Sequence, residues 1–161
     1  MMQALPTSAP REEPTMAKRP EPKRKSSADF LDDLRQGRQA CFGHLEGRRY
    51  LEKVLSAQHS LPNAVKFFAY DMLAEDAYHE GATATCLAAV AGAREHLAAA
   101  QDEWPRETKA YLPGSHFCER GASLLAEEGD VEGAIALCDL AIELGLGRAY
   151  EAKRQSLERR L

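Results

Sequence analysis

Residues 72–90 of the chain recur at 124–142. MLAEDAYHEGATATCLAAV aligns with LLAEEGDVEGAIALCDLAI at an offset of 52, with nine identities in nineteen positions. The identities are Leu73/Leu125, Ala74/Ala126, Glu75/Glu127, Glu80/Glu132, Gly81/Gly133, Ala82/Ala134, Ala84/Ala136, Cys86/Cys138 and Ala89/Ala141. A duplicated segment of this kind is the sequence mark of a supersecondary unit that must stack on its own copy to bury its apolar side. Most of the identities fall on small or apolar positions, so packing is what is duplicated, and packing does not specify an activity.

The unit reads as helical. The chain is rich in Ala and poor in aromatic residues, at 7%, which favours an all-α fold. Val65, Phe68, Ala69, Met72 and Leu73 follow the i, i+3, i+4, i+7, i+8 spacing of one buried helix face behind Pro62. A break is expected near Asp76-Ala77-Tyr78, followed by a helix over about 79–100 with Ala82, Cys86, Ala89, Val90, Ala93, Leu97 and Ala100 as its buried stripe. Further on, Ser115 caps a helix over 116–128 that Gly129 ends, and Asp130 caps a helix over 131–144 that Gly145 stops. A helix starting near Ala28, with Phe30, Leu31 and Leu34 on one side, and helices over about 38–58 and 148–160 complete the reading.

Domain organisation follows from composition. Five of the eight prolines fall within residues 1–22. Residues 1–27 hold too little apolar surface to order themselves and read as a basic, Pro-rich tail. Residues 28–161 form a single all-α domain with hairpins at about 62–94 and 115–146, an insertion at 95–114 and a C-terminal capping helix at 148–161. Residues 1–29 carry net charge +2 and residues 30–161 carry −6, and an acidic domain is a poor general binder of nucleic acid. The N-terminus has no signal-peptide apolar run, and the most hydrophobic stretch is broken by Arg94, Glu95 and His96. A cytoplasmic location is expected, with Cys41, Cys86, Cys118 and Cys138 as reduced thiols.

The hairpins resemble the tetratricopeptide (TPR) class of helical repeat. In the second copy the resemblance rests on the turn Gly129-Asp130, on the small residues Ala134 and Ala141, and on Cys138 and Leu125, where the family carries aromatic residues. In the first it rests on Ala82, Cys86 and Ala89, with Ala77-Tyr78 replacing the Gly-Asp turn. It covers about 62–94 and 115–146. The resemblance implies antiparallel helical hairpins stacked as a short TPR-like right-handed array with capping helices, and a groove that holds a protein or peptide partner. The family's grip on a terminal carboxylate needs Lys and Asn side chains, and Asn63 is the single Asn of the chain.

No phosphate-binding glycine loop, nucleophile elbow or His-Glu-x-x-His motif occurs. The chain therefore reads as a non-catalytic adaptor or regulatory module, with no catalytic residue, cofactor or metal assigned. Tyr70, Tyr78, Trp104 and Tyr111 are the candidate aromatic anchors for a partner, set against a role in filling the space the insertion makes. Arg148 and Arg154 are candidate polar contacts on the last helix. A nucleic-acid alternative would use Lys18, Arg19, Lys23, Arg24 and Lys25 together with that helix. A second alternative is a thiol-based enzyme or sensor built on Cys118 and His116. Cys86 and Cys138 read as small core residues. Glu75 and His79 have the spacing of metal ligands on a helix, but the expected break separates them. The exposed ends of so short a stack make self-association a further expectation.

Overall fold

The computed structural model of the protein describes residues 27–57 and 61–161. The basic residues Lys18, Arg19, Lys23, Arg24 and Lys25 lie outside them. The described residues form eight α-helices and no strand: α1 (Ser27–Gln39), α2 (Gly43–Ser56), α3 (Asn63–His79), α4 (Thr83–Glu103), α5 (Pro105–Tyr111), α6 (Phe117–Glu127), α7 (Val131–Glu143) and α8 (Ala149–Glu158). A 3-10 turn, Leu112–Gly114, joins α5 to α6. Packing runs mostly between sequence neighbours: α2 on α3, α3 on α4, α6 on α7 and α7 on α8, with α6 also resting on α3 and α4. The chain is therefore all-α and built mainly from adjacent antiparallel pairs.

The two central hairpins close with the same turn. α3 ends with the Glu80, Gly81 and Ala82 amides donating to the carbonyls of Asp76, Tyr78 and Ala77 at 3.1, 3.1 and 2.9 Å. α6 ends with Glu128, Gly129 and Asp130 donating to Leu124, Ala126 and Leu125 at 3.0, 3.1 and 2.8 Å. Gly81 (φ +69°) and Gly129 (φ +88°) hold the left-handed position that such an ending requires. The next residues, Ala82 and Asp130, share φ −84° and ψ 73°. The two turns are thus related by 48 residues, and the sequence alignment at 52 lies one helical turn out of step with them.

That difference moves the break. α3 runs on through Asp76, Ala77 and Tyr78, and the chain turns at Glu80–Ala82. Ala82, in place of Tyr78, is the counterpart of Asp130, and Cys86, Val90 and Ala93 are the counterparts of Ala134, Cys138 and Ala141. The segment 95–114 is also more regular than an insertion implies, because α4 continues to Glu103 and α5 starts at Pro105 in the first-turn position that proline favours.

The core lies between the hairpins. Phe67, Phe68 and Phe117 are fully buried, and the Phe67 and Phe117 rings meet edge-on with centroids 5.7 Å apart. Small residues let helices close on one another: a Cβ on Gly121 would fall 2.6 Å from Leu137 and 2.7 Å from Val90. Cys86, Cys118 and Cys138 are buried and unbridged, and the Cys86 thiol donates to the Ala74 carbonyl at 3.2 Å. Helix starts are capped from a distance. Glu103, at the end of α4, accepts from the Ala64 amide and the Asn63 side chain at 3.1 Å each, which satisfies the start of the antiparallel α3.

Candidate functional site

A groove of about 600 Å³ opens between α2 and α4. Its floor is Tyr70 and Leu73 of α3; one wall is Glu52, Leu55 and Ser56 of α2, and the other is Ala84, Thr85, Ala88 and Ala89 of α4. The small residues of α4 create the space, since Ala and Thr leave a furrow where larger side chains would meet α2. Tyr70 is half-buried and held in place: its ring stacks on His96 with centroids 5.5 Å apart, and it lies so close over Gly92 that a Cβ there would approach to 2.6 Å. A site of this kind offers apolar contact with a few polar groups at its edge (Glu52, Ser56 and Thr85), the general character of a ligand-binding cleft.

The opposite side of α3 carries three acids. Asp71 is fully buried and accepts from the backbone N–H groups of His116 and Phe117, both at 2.8 Å, and from the Tyr111 hydroxyl at 2.8 Å. It thereby caps α6 from another helix. Burial pushes the Asp71 carboxyl up, while the donors from His116, Tyr111 and Phe117 pull it back. Burial, with the charge and hydrogen bond of Asp71, also raises the Tyr111 hydroxyl well above its usual value.

Five residues on, Asp76 takes a two-pronged contact from Arg38 at 2.7 and 2.6 Å and a bond from His44 at 2.8 Å, which fastens α1 and α2 to α3. Glu75 meets His79 at 2.6 Å, Arg120 at 2.8 and 3.1 Å, and His116 at 3.4 Å. Burial alone would raise the Glu75 carboxyl, but the bonds from Arg120 and His79 and the charges of His116 and Arg120 override it and hold the group down at about 2. Glu75 is then an anion at neutral pH and a poor proton donor. The His44 and His79 rings stack with centroids 4.3 Å apart. A cavity of about 220 Å³ lies among Arg38, His44, Met72, Glu75, Asp76 and His116.

This cluster was hidden in the sequence, where the histidines look dispersed. His44, His79 and His116 come from three different stretches and converge because α3 is central. Glu75 and His79 lie on one continuous helix, contrary to the expected break. Even so, no group of three His, Cys, Asp or Glu side chains among the described residues is placed to hold a metal ion.

The four candidate aromatic residues separate. Tyr70 lines the groove. Tyr78 is covered by the Arg120 guanidinium, 4.2 Å from its ring centroid. Trp104 and Tyr111 are packing residues: Trp104 lies against Phe30 and Phe68, each at 6.0 Å, and Tyr111 against Phe68 at 4.8 Å. On α8, Arg154 is paired with Asp139 and Glu158, Lys153 donates to Ser123, and Arg160 donates to the Ala126 carbonyl. Arg148, just before α8, is exposed. Cys118 is buried, and burial pushes its thiol up to about 12, so it is not a poised thiolate; the His116 ring faces Glu75 instead.

Compared with known proteins, the chain matches no protein-family model, no curated protein and no solved structure. No helix among the described residues is long and apolar enough to cross a membrane.

Proposed function

We propose that the chain is a non-catalytic protein-interaction module, a short TPR-like right-handed array of hairpins that holds a segment of a protein partner in the groove between α2 and α4. The observation that carries this reading is the groove itself: an open, mostly apolar furrow of about 600 Å³ with a half-buried tyrosine fixed on its floor. Aromatic residues on a rigid floor bind with little loss of side-chain freedom and often dominate affinity. The array reading draws support from the equivalent turns at Gly81 and Gly129 and from α6 resting on both helices of the preceding hairpin. In this reading α2 and α8 are the caps. The cations of α8 are largely engaged within the domain, which favours a protein partner over nucleic acid.

The test is selection of peptides from a displayed library on the purified chain, followed by binding measurements on groove variants. Ala84 and Ala88 are exposed on the groove wall, so arginine at either position fills the furrow without entering the core. Selected peptides are expected to share an apolar anchor and to lose at least about tenfold in affinity with Ala84→Arg or Ala88→Arg, the loss of one central contact. Failure to enrich any sequence, or equal binding by both variants, sinks the reading.

A further inference from the structure

Two histidine rings from different helices lie face to face where α2 begins and α3 ends. His44, in the first turn of α2, and His79, in the last turn of α3, stack with centroids 4.3 Å apart and planes 17° from parallel. Both are exposed, so solvent protons reach them. Each ring has one nitrogen on an acid: His44 Nδ1 meets Asp76 at 2.8 Å and His79 Nε2 meets Glu75 at 2.6 Å. A carboxylate only accepts, so those nitrogens carry the protons, and His44 Nε2 and His79 Nδ1 are left to take up another. The acids are already matched, Asp76 by Arg38 of α1 and Glu75 by Arg120 of α6. His116, just before α6, is a third ring on Glu75 at 3.4 Å, and Glu127 of α6 shares a cleft with His79. Arg48, one turn along α2 from His44, is taken by Glu52 at 3.2 Å. With neutral rings the two arginines offset the two carboxylates, and every further proton is in excess.

We infer that the stacked His44 and His79 rings are an acid-operated latch that fastens the start of α2 to α3, shut while at most one ring is charged and open when both are. Histidine is the side chain that ordinarily changes charge between about pH 8 and 5. A charged ring over a neutral one is held by the attraction of a cation for an aromatic face. A second charge 4.3 Å away turns that attraction into repulsion. The bonds to Asp76 and Glu75 survive protonation, because the new protons go to the opposite nitrogens, so the stack is the contact that changes. The start of α2 is the side that yields. α3 is central, with α2, α4 and α6 packed on it, whereas α2 begins without a side-chain cap, behind the exposed Phe42 and Gly43. α1 stays in place through Arg38 and Asp76. α2 is also a wall of the groove, so the latch sets the freedom of that wall, but it operates in the chain alone and does not depend on a partner.

Nuclear magnetic resonance of the histidine ring Cε1–H groups, followed in the full chain from about pH 8 to 5, tests it. The His44 and His79 signals are expected to report two linked steps at least about one pH unit apart, as strongly interacting sites do. In His79→Gln the His44 ring should titrate in a single step, and in His44→Gln so should His79; glutamine keeps a donor for the acid in each case. His116→Gln should leave both steps in place. Hydrogen exchange supplies the structural readout. The amides of residues 47–51, which make the first bonds within α2, should lose protection about tenfold or more on acidification once the intrinsic rate is corrected for, in the native chain and not in His79→Gln. Single independent steps for both rings in the native chain overturn the inference without recourse to any variant. So does protection of α2 that does not fall with acid, or that falls equally in His79→Gln. A second step that vanishes in His116→Gln would place the coupling at Glu75 and overturn it as well.

Discussion

Replacing Asp71 by alanine removes three hydrogen bonds at once and leaves the His116 and Phe117 amides, at the entry to α6, and the Tyr111 hydroxyl without their acceptor. Each such donor, when buried, costs roughly 1 to 3 kcal/mol. Asp71→Ala is therefore expected to destabilise the fold by about 3 kcal/mol or more, and Tyr111→Phe by about 1 kcal/mol, both read from urea unfolding midpoints. Glu75 adds a pH dependence with a definite sign. Its folded value of about 2 lies below the ordinary 4.5, so its contribution is complete above 4.5 and disappears as pH falls through that window towards 2. The stability gap between the native chain and Glu75→Gln should thus be widest at neutral pH and shrink on acidification. A gap that is constant with pH would mean that Glu75 contributes through packing alone. Neither acid stands out in the sequence, because an acid inside a helical run looks like a solvated face. The partners of Asp71 lie 40, 45 and 46 residues away, a distance that no local pattern spans.

At the scale of elements, the helices themselves were legible. The apolar spacing behind Pro62 became α3, and Gly129-Asp130 and Gly145 set the ends of α6 and α7 where capping chemistry places them. The first hairpin was misread because identity and geometry disagree there. The best alignment pairs Tyr78 with Asp130, yet the backbone turns at Gly81, and the alanine after it lacks a capping side chain. That contrast yields a prediction. Asp130 accepts the Gly133 amide at 2.9 Å, whereas Ala82, with the same backbone angles, offers no acceptor to the Thr85 amide. Asp130→Ala should cost about 1 kcal/mol, and Ala82→Asp should stabilise by about 0.5 to 1 kcal/mol. Thermal denaturation of the two variants checks the pair. Equal destabilisation by both would show that the two turns are not equivalent in energy despite their matching geometry.

At the scale of the whole molecule, the question is whether the hairpins unfold separately, as weakly coupled repeats can, or together. The structure favours one transition, because the aromatic centre is shared. Phe67 of α3 meets Phe117 of α6 edge-on, and Phe68 touches both Tyr111 of α5 and Trp104, the residue that joins α4 to α5. Asp71 and Glu75 add polar ties between the same helices. Trp104 is the single tryptophan of the chain, so its fluorescence reports on this junction, while far-UV circular dichroism averages over the helices as a whole. The two signals are expected to give the same urea midpoint. Phe67→Ala should lower both midpoints together, by the equivalent of about 3 to 5 kcal/mol of stability, the usual loss for a large aromatic side chain in a tight core. If fluorescence shifts in Phe67→Ala while a large fraction of the helical signal keeps its original midpoint, the α6–α8 half folds on its own and the shared centre is not what couples the hairpins.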